Sequence, residues 1–172
     1  MACSIAMLLL FSCNMKKAKS PWPQIHAKFD PATLSLGENT SVKQVHGQTL
    51  YLPVYSTIPY WGYERKFDLS AFVAIHNTDF VNPIRVTKVL FFDNDGKLVA
   101  NFLERDSVLR PLGATYFFVP EQDQSGTGAN FIIEWTSDSL VNEPLIESVM
   151  IGLTGGQGVS FLSTGKVVRE RK

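Results

Sequence analysis

The sequence predicts an all-β protein, a single antiparallel β-sandwich of immunoglobulin-like type with about eight strands. Three observations predict it. From Gly47 onward, short runs rich in β-branched and aromatic residues alternate with turn clusters at the spacing of a sandwich or barrel. No window shows a sustained helical period. Several runs also alternate apolar and polar residues one by one, the period of a half-buried strand.

In order, the runs are Thr49–Thr57, Phe67–Asn77, Ile84–Phe92, Lys97–Leu103, Ala114–Val119, Asn130–Thr136, Ile146–Leu153 and Val159–Val168. Leu69, Ala71, Val73 and Ile75 share one face, because successive strand residues point to opposite sides. Phe131, Ile133 and Trp135 likewise point one way, and Asn130, Ile132 and Glu134 the other. Val89–Phe92 is apolar on both faces, which predicts a central strand or one covered on its outer side. Asp93–Gly96 closes a hairpin, since Asp-Gly tolerates the positive φ of a tight turn. Pro53 has no N–H for a ladder, so the first run is expected at a sheet edge or bulge.

At 172 residues and 45% hydrophobic content the chain sustains one domain with its own core. Its 16 basic and 16 acidic side chains cancel, so the electrostatic footprint of a nucleic-acid binder is missing. The apolar content also argues against disorder. Residues 14–46 carry Pro21, Pro23, Pro31 and Gly37 without periodicity and read as a tether. The expected organisation is a signal segment at 1–12, a lipid-anchored tether at 13–46, the sandwich at 47–168 and a charged tail at 169–172.

Met1–Phe11 is an apolar run too short to span a bilayer but suited to the core of a secretory signal. Its end, Leu10-Phe11-Ser12-Cys13, resembles the bacterial lipoprotein signal, with Leu three positions before the cysteine and a small residue directly before it. Phe11 is bulkier than that motif's usual residue, and no Lys or Arg precedes the run. The resemblance implies cleavage, a lipid on Cys13 and a periplasm-facing place in the bacterial cell envelope. The other readings are a frayed apolar N-terminus and a plain cleaved signal. Cys3 and Cys13 are the only cysteines, so the sandwich itself has no disulfide, thiolate metal site or cysteine nucleophile.

A second resemblance covers residues 47 to 168. GQTLYLPVYS at Gly47–Ser56, IHNTD at Ile75–Asp79, FFDNDGKLV at Phe91–Val99 and PLGATYFFV at Pro111–Val119 carry its first half. SGTGANFIIEW at Ser125–Trp135, VNEPLIESVMIG at Val141–Gly152 and GQGVSF at Gly156–Phe161 carry the second. Together they are similar to the bacterial domain-of-unknown-function family numbered 3124, a family of envelope proteins. The resemblance implies a domain boundary and an envelope setting, and no activity.

The sequence offers little chemistry. Of three histidines, His26 lies in the tether, His46 just before the domain, and His76 on an outward-facing position. No G-x-S-x-G elbow and no H-E-x-x-H marks a serine nucleophile or a metal site. Ser125–Gly128 is Gly-rich, but a strand and no Lys follows, so it reads as a hairpin connection rather than a phosphate loop. Counted as a calcium loop from Asp93, the required glycine position holds Leu98, although Glu104 fits the last one. No catalytic residue, cofactor or metal is expected. For a carboxylate pair of glycosidase type the candidates are Glu134, Glu143 and Glu147, with Glu134 expected solvated.

Antiparallel strands collect alternate loops at one end. Ile58–Lys66, Asp93–Gly96, Pro120–Ala129 and Thr154–Gln157 then gather Tyr60, Trp61 and Tyr63 with Asp93, Asp95, Glu121 and Asp123. Exposed aromatics beside acids form a surface for sugar or peptide recognition. Alternatively, Tyr60 and Trp61 fold back as a lid on the core. The expected function is a non-catalytic binding or assembly module, membrane-held through its lipid, with an envelope protein or glycan partner and no nucleic acid. Its rivals are a cell-wall or carbohydrate hydrolase using loop carboxylates, and a structural subunit pairing through an exposed edge at Thr49–Thr57.

Overall fold

The computed structural model describes residues 44–171 except Tyr63, Gln122, Gln124 and Gly155. The signal segment, Cys13 and nearly all of the tether lie outside the described residues. Within them the regular structure is β throughout. The strands are β1 (His46–Pro53), β2 (Thr57–Trp61), β3 (Arg65–Asp68), β4 (Ser70–His76), β5 (Ile84–Phe92), β6 (Leu98–Asn101), β7 (Ser107–Leu109), β8 (Ala114–Val119), β9 (Asn130–Ser137), β10 (Leu145–Thr154), β11 (Gln157–Thr164) and β12 (Lys166–Arg171).

They form two main antiparallel sheets and a hairpin. The larger sheet runs β12-β1-β9-β5-β6, with β7 also on β5; the smaller runs β11-β10-β4-β8; β2 and β3 pair alone. The core lies between the sheets. Leu50, Leu52, Val89, Phe91, Phe131, Ile133 and Trp135 come from the larger sheet, and Ala71, Val73, Ile75, Val119, Ile146 and Met150 from the smaller. Leu69, Ala71, Val73 and Ile75 all face inward and are buried, as their alternation requires. Val89–Phe92 is buried on both sides, and β5 is a central strand between β9 and the β6/β7 pair. The Asp93–Gly96 turn closes with Gly96 at φ 73°, while Asp93 Oδ1 accepts the N–H groups of Asp95 and Lys97.

The sandwich is built from more and shorter pieces than the eight runs expected. Thr49–Thr57 is not one strand: it ends at Pro53, and Thr57 opens the β2–β3 hairpin within a segment expected as loop. Nor is that run an edge, because β12 and β9 flank β1. Pro53 is tolerated there because β12 reaches along β1 only as far as Tyr51. The pairing carries an irregularity at Thr49/Leu50 instead. The edge-pairing reading at Thr49–Thr57 therefore loses its strand.

Val159–Val168 also divides. Gly165 breaks it, so β11 stays in the smaller sheet while β12 crosses to the larger. A side chain at Gly165 would crowd Leu50 Cδ2 at 3.2 Å and Ile146 O at 3.3 Å, which is why the crossing falls on glycine. Residues 169–171, expected as a charged tail, pair with Thr49, Gln48 and Gly47. Glu134 is buried rather than solvated. Lys88 stands opposite it in register with Nζ 3.8 Å from Oε1, and Thr87 Oγ1 donates to Oε1 at 3.0 Å, which makes the burial tolerable.

Candidate functional site

The loop end anticipated from the sequence forms in part. Asn94 N–H donates to Ser125 O at 3.0 Å, and Gly128 N–H donates to Asn94 Oδ1, so the Asp93–Gly96 turn and the Pro120–Ala129 loop meet. Asp123 Oδ2 accepts from Ser56 Oγ at 2.6 Å and also from the Ser125 hydroxyl and N–H. Asp93 is likewise committed to its own turn. Asp93 and Asp123 hold loops together and are half-buried, while Asp95 is exposed. Tyr60 packs on Phe67 with ring centroids 4.9 Å apart, and Trp61 projects into solvent. Tyr63 lies outside the described residues. Among the described residues no hydrogen bond joins Tyr60 or Trp61 to Asp93, Asp95 or Asp123.

The candidate chemical groups are dispersed. His46 pairs in register with Ser137, and His76 with Ala114 and Leu145, at the end away from Ser56 and Asp123. The His46 ring lies edge-on to Trp135, with centroids 5.1 Å apart. Glu134 belongs to the larger sheet, Glu147 to the outer side of the smaller sheet, and Glu143 to the loop before β10. The fold does not assemble them into a pair.

A different surface stands out. The outer face of the smaller sheet is apolar across all four strands. Phe118, Phe72, Val149 and Leu162 are successive neighbours in register from β8 to β11. Tyr116 stacks on Phe72 at 5.2 Å and 25°. Ile151 and Leu153 extend the apolar ground along β10. Phe72, Phe118, Tyr116, Ile151, Leu153 and Leu162 are between 38% and 73% exposed, in a sheet where burial was available on the other side. Glu147 is the one Asp, Glu, Lys or Arg in these four strands. Contiguous exposed apolar area of this kind makes the face a candidate interaction surface. The signal was present in the sequence: SAFVAIH, ATYFFV and SVMIGL each carry large apolar residues at both parities.

At the end where β4, β7 and β9 finish, three loops are tied together by two side chains. The buried Asn77 donates through Nδ2 to the carbonyls of Asn82, Leu109 and Arg110 at 2.9, 3.2 and 3.0 Å, and accepts Asp79 N–H at 3.0 Å. Asp79 Oδ1 accepts the N–H groups of Val81 and Asn82 at 2.8 and 2.7 Å, and Oδ2 that of Asn142 at 3.0 Å. The backbone N–H of Asn82, then those of Val81 and Asn142, hold the Asp79 carboxyl below its ordinary value of 3.8, outweighing the opposing effect of burial.

A carboxylate whose folded value is depressed adds stability above its unfolded value, and that stability is lost as pH falls through the folded one. The protection of the Val81 and Asn142 amides against exchange, relative to the intrinsic rate at each pH, is therefore expected to fall below pH 3.8. Asp79→Asn should remove that acid step. An unchanged acid profile in the variant would mean that another group controls these loops.

The crystal structure of Thermotoga maritima 1070 is similar to this chain with a TM-score of 0.44 and 11% identity, covering 69% of this chain and 92% of that one. No curated protein matches the chain. The family described as Protein of unknown function (DUF3124) matches residues 47–168, which span the sandwich from the second residue of β1 into β12. The chain belongs to that family.

Proposed function

We propose that this protein is a lipid-anchored bacterial envelope protein whose sandwich is a non-catalytic binding module, and that its partner is a protein held on the outer face of the smaller sheet. The observation that carries the reading is the apolar row Phe118–Phe72–Val149–Leu162 with Tyr116, Ile151 and Leu153 around it. Four strands about 4.8 Å apart, with β10 rising about 3.4 Å per residue, give a face roughly 15–20 Å by 30 Å. That area, roughly 450–600 Å², is below the roughly 800 Å² per partner of a standard interface and matches the largest apolar patches that carry function on a single domain. Aliphatic side chains fill half of it and one charge borders it, so it suits an apolar protein surface better than a hydroxyl-rich glycan. The lipoprotein-like Leu10–Cys13 supports the anchor.

Photo-crosslinkers placed in intact cells at Leu162 and Tyr116, with Asp95 at the loop end as control, test the face. The expected result is one shared crosslinked envelope protein from both face positions, absent at Asp95 and lost on Phe118→Asp in a folded protein. Fatty-acid labelling that disappears with Cys13→Ser tests the anchor in the same cells. Crosslinking at the face no stronger than at Asp95 overturns the binding surface; an unlabelled wild type overturns the anchor.

A further inference from the structure

We propose that the end of the sandwich bearing the loops 77–83, 110–113 and 138–144 seats directly on a lipid bilayer. This rests on the envelope-anchored reading above and adds an orientation to it. Loop tips in a globular domain are ordinarily polar. Here they present Phe80, Val81, Leu140 and Leu112, exposed to 76%, 76%, 73% and 63%.

The tips are held, not loose. Asn77 and Asp79 fix the first loop to both others, and Thr78 Oγ1 donates to Glu143 O at 2.7 Å. Leu112 sits at φ 56°, a left-handed conformation that a branched side chain adopts at a cost, with its N–H on Asp79 O at 3.1 Å. A framework that spends strain and two buried polar side chains on presenting apolar tips implies a use for them.

The bilayer is identified by where the chain enters. Val45 N–H bonds to Ser137 O at 2.9 Å, immediately before the third loop, so the 43 residues preceding Gln44 join the domain at this same end. Those residues contain the apolar run Met1–Phe11 and Cys13. About 30 residues separate Cys13 from Gln44, so a lipid on Cys13 keeps the tips within about 100 Å of the bilayer even at full extension. At the local concentration this creates, weak insertion suffices. Among the described residues these loops carry one exposed cation, Arg110, and the exposed acids Asp138 and Glu143. Apolar insertion rather than headgroup charge drives the contact, and it should resist salt.

The test uses the full lipidated chain reconstituted into phosphatidylethanolamine–phosphatidylglycerol vesicles with brominated acyl chains. Bimane is attached at Leu112→Cys or Leu140→Cys, with Trp61→Cys at the opposite end as control. Strong quenching at 112 and 140, none at 61, and persistence in high salt are expected. Changing Phe80 and Val81 to Ser, which leaves Asn77 and Asp79 in place, should lower the ratio of quenched to unquenched chains about a hundredfold, about tenfold for each of the two lost apolar side chains.

A chain that fails to float with the vesicles overturns the anchor and this inference together. Flotation without quenching overturns the seating alone, as does equal quenching at position 61. Shielding of the 112 label from aqueous iodide before vesicles are added also overturns it, because the chain's own residues or a second copy then cover the tips.

Discussion

Phe131→Ala is expected to destabilise the sandwich by about 3–5 kcal/mol, a third or more of a typical domain's margin. Phe131 is fully buried on β9, with its ring centroid 4.8 Å from that of Phe91 and 5.4 Å from that of Phe102. Phe102, in the segment after β6, meets Phe117 of β8 edge-on at 5.6 Å. This chain of rings is one of the places where the two sheets are fastened through side chains rather than backbone pairing. Alanine removes the transfer energy of the ring and leaves a cavity, because two paired strands cannot close on it. The tilted ring contacts add about 0.5–1.5 kcal/mol beyond area. Urea unfolding measures the loss, with Phe72→Ala on the outer face as reference. The reference variant should cost less than about 1 kcal/mol, since its ring is already partly in water. Equal losses at the two positions would mean that the ring column does not fasten the sheets.

The layer that holds Phe131 was legible in the sequence, and the reason is local. Alternation is a property of one strand, so Leu69, Ala71, Val73 and Ile75 could be assigned to one face before any neighbour was known. The same holds for the Asp93–Gly96 turn, whose chemistry lies within four residues. Features set by a neighbour were not legible. Pro53 announces a missing donor, but only the length of β12 shows that nothing on that side needs it. The break at Gly165 interrupts a run that is β on both sides of it, and the change of sheet is decided by Leu50 and Ile146. Glu134 lies on the side of β9 that alternation called outward, and Lys88 and Thr87 determine that it is buried.

The candidate surfaces divide along the same line. Grouping loops by parity correctly brought Asn94 to Ser125 and Gly128, yet it could not reveal that Asp93 and Asp123 are spent on holding those loops. Apolar residues at both parities of β4, β8 and β10 were visible, but their union into one face needs the order β11-β10-β4-β8. Asn77 and Asp79 stand in the segment IHNTD that carries part of the family resemblance, but nothing within it marks them as a brace. Their partners at Arg110 and Asn142 lie 33 and 63 positions along the chain.

Asn77 is where the second large effect is expected. Its amide is buried and fully committed, with three carbonyls facing Nδ2 and one N–H facing Oδ1. Asn77→Ala leaves those groups short of a partner at about 1–3 kcal/mol for each one that water cannot reach, and about 2–4 kcal/mol in total is expected. Asn77→Asp separates the donor from the acceptor. It keeps an oxygen for Asp79 N–H but aims a second, charged oxygen at the carbonyls of Asn82, Leu109 and Arg110. At neutral pH it should therefore be worse than alanine. The sign of its pH dependence follows: a carboxyl facing carbonyls is raised in the folded state, so the variant recovers as pH falls toward the unfolded value and weakens as pH rises. That slope is opposite to the one Asp79 imposes, and the two are separable in the Asp79→Asn background. Denaturation of both Asn77 variants across pH 4 to 8 measures this. A flat Asn77→Asp profile would show that water enters beside residue 77, in which case the loops 77–83 and 110–113 are not braced by it and the apolar tips they carry lose their rigid support.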